Sequence, residues 1–359
     1  MVSLLLKPIP MMTALWMLTV VVGPVLILTL AGVVYQAVGA ARDARRYPPR
    51  GRLVRMDGRW MHIHASGEGS PTVVLESGMG ASTLSWSLVE PLVAQFARVV
   101  SYDRAGAGWS DLARTPRTAD AIAEELHTLL VEAGISGPYV LVGHSFGAYV
   151  LQAFVGRYPD QVQGMVLVDP IHPDEWRNPT PQQQRVIRIG ARYARVAAWL
   201  ARVGFVRFCL ERFASGSPRL GRAATNAFGV GTATAVRRIA GEIRKLPREA
   251  WPVVQAFWSL PRSFLSLGQH VEALPVSAAE AAAAGSLGDR PLVVLSGNHH
   301  SLERMAEQKD LARLSTRGKH LVVKDSEHWI HLDQPELVAW AVREVIEAAR
   351  KGQMNVWVN

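Results

Sequence analysis

The chain predicts an α/β architecture with a mostly parallel sheet covered by helices, and three features predict it. Strand-like apolar runs recur with helical patterns between them, an Asp-Gly turn opens the series, and a glycine-flanked serine stands where one strand passes abruptly into a helix. At 359 residues the chain can hold a large α/β core together with an inserted unit.

No charged residue occurs from Pro8 to Ala41, and Met11 to Val38 is dominated by Leu, Val, Met, Ile and Ala. That exceeds the roughly 20 apolar residues needed to cross a bilayer, so residues 1–41 read as an N-terminal transmembrane anchor. A cleaved signal peptide is the alternative, favoured by Lys7 and the small-residue stretch Ala37 to Ala41, but signal cores usually stop at about 15 residues. Beyond the span stand Arg42, Arg45, Arg46, Arg50, Arg52 and Arg55 against a lone Asp43. By the positive-inside rule this places the large C-terminal part on the cytoplasmic side. The net charge of +9 fits attraction to membrane lipid headgroups better than nucleic-acid binding, because no nucleic-acid motif accompanies it. Cys209 is the single cysteine, which excludes an intramolecular disulfide framework.

After Tyr47-Pro48-Pro49, the runs Leu53 to Met56 and Trp60 to His64 flank Asp57-Gly58 and predict a β-hairpin. Further strands are expected at Thr72 to Glu76, Arg98 to Asp103, Tyr139 to Val142, Met165 to Asp169, Pro291 to Ser296 and His320 to Lys324. The gap between Asp169 and Pro291 is too long for one helical crossover and implies an insertion. Its first half, Gln182 to Phe213, reads as an amphipathic helix. Arg185, Arg188, Arg192 and Arg195 lie on one face, while Ile189, Val196, Trp199, Leu200 and Val203 are available to another. An ordinary solvated helix and a lid lying on a membrane surface both fit that pattern. Ala278 to Ala284 reads as a simple alanine-rich helix or linker.

Gly143-His144-Ser145-Phe146-Gly147 follows the apolar run from Tyr139 and precedes the helix-like stretch Ala148 to Arg157. The pattern is common by chance, but strand, sharp turn and helix is the setting a nucleophilic serine requires. A Gly-rich connection whose serine merely caps the helix is the structural alternative. A serine nucleophile needs a positioned base, and His328 stands in the loop after the last expected strand, on the same sheet edge as Ser145. His331, His299 and His300 compete with it.

From about Gly51 to Arg350 the chain resembles the α/β-hydrolase superfamily, of the serine esterase and lipase kind. Four segments carry the resemblance in order: Thr72 to Gly80, Tyr102-Asp103-Arg104-Ala105-Gly106-Ala107-Gly108-Trp109-Ser110, Gly143 to Gly147, and Ser326 to Glu336. The resemblance implies a hydrolase core over 42–170 and 288–359 interrupted by a helical cap over 171–287. It favours His328 as base and implies oxyanion donors at the backbone N–H groups of Met79 and Phe146. Ser77 stands where many members carry histidine, and Asp103 and Arg104 are expected to organise the neighbouring loop, with Trp109 packed beside it. Most members place the acid after the strand equivalent to Pro291 to Ser296, where this chain reads Gly297-Asn298-His299-His300. Asp169, one strand after the nucleophile, is the expected acid instead, with Asp174 next.

The expected chemistry is hydrolysis of a small-molecule ester by Ser145, His328 and Asp169. A serine at position 145 argues against epoxide hydrolase and haloalkane dehalogenase chemistry, in which a carboxylate attacks. The empty acid position keeps a non-catalytic membrane-anchored binding protein as a rival, and a perhydrolase or acyltransferase as a third reading. No metal-ligand cluster or dinucleotide fingerprint occurs in the sequence, so no cofactor is inferred.

Overall fold

The structure, a computed structural model, describes residues 11–214, 243–298 and 300–351. The first ten residues of the expected anchor, residues 215–242 of the expected insertion, and His299 lie outside that set. Eight strands form one sheet: β1 (Arg52–Met56), β2 (Arg59–Ser66), β3 (Thr72–Glu76), β4 (Val99–Tyr102), β5 (Tyr139–His144), β6 (Val162–Val168), β7 (Leu292–Gly297) and β8 (Gly318–Val323). Their order is β1-β2-β4-β3-β5-β6-β7-β8. β1 and β2 pair antiparallel around Asp57-Gly58, β2 pairs antiparallel with β4, and every later pairing is parallel.

The helices are α1 (Met11–Arg46), α2 (Glu90–Val93), α3 (Ala119–Glu132), α4 (Gly147–Arg157), α5 (Pro181–Arg202), α6 (Phe205–Ala214), α7 (Trp251–Trp258), α8 (Pro261–Ala283), α9 (Leu302–Ala312), α10 (Ile330–Asp333) and α11 (Pro335–Lys351). The central strands are apolar on both faces, as buried parallel strands must be. Val74, Val100, Leu141, Leu167 and Val294 face α3, α4 and the end of α8, whereas Val73, Val99, Val142, Val166 and Val293 face α2 and α11. Alternation along each strand therefore builds two cores, one on either side of the sheet.

The cap departs from the expected single helix at one place, and its alanine-rich stretch is helical, one of the two forms expected. The expected continuous helix from Gln182 to Phe213 is broken, because Gly204 takes a φ of +75° and turns the chain between α5 and α6. The alanine-rich stretch is the last part of α8, with Ala278 and Ala281 buried in the core. There Ser277 and Glu280 accept hydrogen bonds from the backbone N–H groups of Ala119 and Asp120, so α8 caps the N-terminus of α3.

One N-terminal helix is long and apolar enough to cross a membrane, and its candidate span runs Val22–Arg46. Leu26, Ile27, Leu28 and Leu30 are exposed on it. Each exposed side chain of this size forgoes about 1.5–3 kcal/mol of burial in water, which a lipid phase would restore.

Candidate active site

Ser145, Asp169 and the loop before His328 all leave the carboxyl edge of the sheet, because β5, β6, β7 and β8 run in parallel register. Ser145 continues that register by donating its N–H to Val168 O at 3.1 Å. It then takes a φ of +54°, a left-handed conformation that a non-glycine residue holds only at a cost of about 1–3 kcal/mol. α4 begins two residues later, with the Ala148 N–H returning to Ser145 O. Gly147 is required at this point, since a Cβ there would lie 2.8 Å from Glu76 O and 3.0 Å from Ser77 O. The turn is thus pressed against the end of β3.

Asp169 follows β6, also at a positive φ of 43°, and its side chain is buried. His328 Nδ1–H donates to Asp169 Oδ2 at 2.6 Å, and His300 Nε2–H donates to Oδ1 at 2.5 Å. The Gly297 N–H approaches the same Oδ1 at 3.4 Å. Burial alone raises this carboxyl's pKa, but the hydrogen bonds from His300 and His328 outweigh it and hold the group well below the usual carboxylate range. Asp174 lies elsewhere: it sits in a short turn, more than half exposed, and pairs with Arg177 at 2.8 Å.

His144 and His331 form the back wall of the site. His144 Nε2–H donates to His328 O at 2.9 Å, fixing the loop that carries the imidazole. The ring of His144 lies 4.3 Å from that of His331 and 4.6 Å from that of His328. Burial, reinforced by the neighbouring histidines, pushes His144 well below the ordinary imidazole value and His331 down to about 3. Both rings are therefore neutral at physiological pH.

The loop holding Met79 is braced from below. Arg104, buried and paired with Glu76 at 3.0 Å, donates to the carbonyls of Ser77 and Gly78. Across a trans peptide the N–H points opposite to the C=O, so the Met79 N–H is turned away from Arg104. Ser77 donates to Ser82 O at 3.1 Å, tightening the loop with its own hydroxyl. Phe146 supplies the first N–H of the turn into α4, a group with no intrahelical partner by helix geometry. Asp103 accepts from the N–H groups of Thr83 and Trp109 and pairs with His62. Trp109 packs between His62 and Phe257, and its indole donates to Tyr47 O at 2.9 Å.

Over this loop lies the cap. A cavity of about 30 Å³ is walled by Ala81, Ser82 and Arg104 below and by Val254, Phe257, Trp258 and Leu267 above. That is room for a water molecule or two. His270, buried on α8, meets the Phe146 ring edge-on at 5.5 Å and places its unpaired Nε2 beneath the cap.

The residues expected as nucleophile, base and acid thus converge on one edge, with the two oxyanion candidates on adjoining loops. Two contributors escaped the sequence reading. His300 was weighed only as a rival base and instead shares the carboxylate, and His144, inside the motif, holds the His328 backbone. A pair of histidines in the place of the missing acid was the available signal for the first.

A family model described as alpha/beta hydrolase fold matches residues 71–335. The chain is 38% identical over 119 residues to the protein YqjL of Bacillus subtilis (strain 168), a match covering 32% of this chain and 46% of that one. It is 38% identical over 103 residues to an AB hydrolase superfamily protein of Gibberella zeae, covering 28% and 32% respectively. The chain therefore spans less than half the length of these curated relatives. Among solved structures, a thermophilic esterase from Thermogutta terrifontis superposes with a TM-score of 0.57 at 21% identity, over 83% of this chain and 98% of the esterase. The epoxide hydrolase CorEH gives 0.60 at 20% identity, over 82% and 98%.

Proposed function

This chain belongs to the alpha/beta-hydrolase fold family, and on that premise we propose that it is a membrane-anchored serine hydrolase cleaving lipophilic carboxylic esters. In this reading His328 takes the Ser145 proton through its free Nε2, Ser145 attacks the ester carbonyl, and the Met79 and Phe146 amides receive the oxyanion. The alcohol leaves with the proton returned by His328, and water then cleaves the acyl-enzyme by the same route. The observation that carries the proposal is the 2.6 Å hydrogen bond from His328 Nδ1 to Asp169. It leaves Nε2 as the basic nitrogen and gives the incipient imidazolium a buried, ionised partner. The apolar cap residues Val254, Phe257, Trp258 and Leu267 support a lipophilic acyl or alcohol group. The exposed apolar length of α1, followed by its run of arginines, supports a single-pass anchor with the catalytic part on the cytoplasmic side.

The rival reading as a non-catalytic binding protein draws on the empty acid position after Ser296, and the hydrogen bond from His328 to Asp169 supports the catalytic reading over it. Fluorophosphonate labelling discriminates the two, since an unactivated serine does not react. Labelling of the parent chain and its loss in Ser145→Ala is the expected result. Ser145→Ala protein that still hydrolyses short p-nitrophenyl esters at the parental rate would refute the mechanism.

A further inference from the structure

Helix α5 buries Ile187 and, apart from it, its smallest residues. Ala191, Ala194, Ala198 and Ala201 are buried, and a Cβ at Gly268 of α8 would lie 3.0 Å from the Ala194 methyl. Other large apolar side chains, Val186, Ile189, Tyr193, Val196 and Trp199, point outward, with Arg185, Arg188, Arg192 and Arg195 on the adjoining face. Past the turn at Gly204, Phe205 and Phe208 are exposed as well. The Arg212 guanidinium sits 5.3 Å from the Phe208 ring centroid. An apolar stripe with aromatic residues and flanking arginines is the composition of a helix lying in a membrane interface.

The position of this surface relative to α1 supplies the second observation. α1 has 36 residues, about 54 Å at the helical rise of 1.5 Å per residue, whereas a bilayer core needs about 30 Å. The excess lies against the cap. Gly32 meets the α5–α6 turn, since a Cβ there would lie 2.2 Å from Val203 O and one at Gly204 would lie 2.6 Å from Gly32 O. One turn further on, Arg207, buried at 3% exposure, donates to Gln36 Oε1 at 3.0 Å, Asp43 Oδ2 at 2.5 Å and Ser259 Oγ at 2.7 Å. Gln36 in turn donates to Ser259 O. Tyr35 donates to Glu211 and Gln36 to Ser259 O, and the apolar helix before them comes level with Val203 and Gly204 at Gly32.

We propose that the α5–α6 corner, carrying Trp199, Phe205 and Phe208, is a membrane-docking surface seated in the interfacial layer of the bilayer that α1 crosses. The inference rests on the anchor reading above and extends it: the Arg207 joint holds the corner to α1, so the cap cannot leave the bilayer while the anchor remains in it. Ser259, held by that joint, directly follows Phe257 and Trp258 of the cavity wall. The entrance to the site is thereby tied to the membrane surface, and an ester dissolved in the bilayer is the substrate this placement favours.

The test uses the full chain with Cys209→Ser, reconstituted in nanodiscs of phosphatidylcholine and phosphatidylglycerol. Trp199→Cys, Phe205→Cys and Phe208→Cys are spin-labelled one at a time, with Val131→Cys on the exposed side of α3 as the aqueous control. Collision with oxygen should exceed collision with a water-soluble nickel chelate at the three corner positions and show the reverse at position 131. Retained fluorophosphonate labelling establishes that each variant is folded. Nickel accessibility at the corner equal to that at position 131, in protein that resists carbonate extraction, overturns the docking and leaves the anchor standing. Release by carbonate overturns both. Dipolar broadening between labels would place a second copy of the chain on the corner instead, and also overturns the proposal.

Discussion

The catalytic edge of the sheet and the joint between α1 and the cap are both buried polar assemblies, but they are held in opposite ways. At the edge, Ser145 and Asp169 directly follow strands whose register is set by their neighbours, both in left-handed backbone conformations, and His328 stands in the loop after β8. Rigid strands supply the position, and strain is confined to single residues. At the joint no strand takes part: one arginine gathers residues 36 and 43 of α1 and residue 259 after α7, two segments far apart in the chain. The edge should therefore lose chemistry when altered while keeping its fold, and the joint should lose stability while keeping its chemistry.

The largest effect expected is at Asp169. Asn at this position keeps the volume but cannot hold His328 in the tautomer with Nε2 free, so kcat on a p-nitrophenyl ester should fall by about 10⁴-fold. Asp174→Asn should leave it unchanged, because Asp174 pairs with Arg177 at the surface. Were the two outcomes exchanged, the acid would be Asp174. The matching change at the joint, Arg207→Leu, removes a buried cation and leaves Asp43 and Ser259 without it. Breaking such a pair costs about 3–5 kcal/mol, read by denaturing the full chain in detergent micelles. An unchanged unfolding midpoint would show that the joint holds nothing.

A third expectation separates the regions by pH. His144, His270 and His331 are buried, and burial pushes each imidazole below its ordinary value of 6.5, His331 to about 3. Unfolded, all three take up a proton as pH drops through 6.5, whereas the folded core refuses it. Their contribution is whole above that pH and is lost as pH falls, by about 1.4 kcal/mol per pH unit for each group. Asp169 is depressed instead, so its stabilisation is whole above the ordinary carboxylate range and is lost as pH falls from that range toward its lowered folded value. From pH 6.5 to about 4.5 these three histidines lower stability as pH falls, while Glu76, Glu280 and Glu307, whose carboxyls burial raises, and His64, raised by its bond to Glu90, act in the opposite sense. His331→Leu should make Tm fall less across that interval than it does in the parent, and equal slopes in the two would contradict the assignment.

How much was legible in the sequence follows the same division. The sheet could be read because the central strands carry apolar runs such as Val73 to Leu75, Tyr139 to Val142, Met165 to Val168 and Leu292 to Leu295, and each site loop carries a short local motif, from Gly78-Met79-Gly80 to His328. Asp169 was legible for the same reason, as the residue ending Met165 to Val168. The break at Gly204 was hidden inside a pattern whose helical period continues across it. The burial of α5 mainly on alanines, with most of its large apolar residues outward, inverts the ordinary expectation for an amphipathic helix. Nothing local marked Arg207 apart from the other arginines of the cap, because its partners lie 171 residues upstream and 52 downstream.

His300 gives the smallest expected effect and the finest test of the edge. It donates to Asp169 Oδ1 while His328 takes Oδ2, so it acts on the reaction only by fixing the rotation of the carboxylate. Gly297 N–H, at 3.4 Å from the same oxygen, is too distant to replace it fully. Removing one hydrogen bond to a charged group costs about 1.5 kcal/mol, so His300→Ala should lower kcat by roughly tenfold and leave KM unchanged, since no substrate atom is touched. A structural role alone would reduce the amount of folded enzyme without altering kcat per fluorophosphonate-labelled site. Complete loss of turnover in His300→Ala, with turnover retained in His328→Ala, would instead make His300 the base and His328 the spectator, which the tenfold expectation excludes.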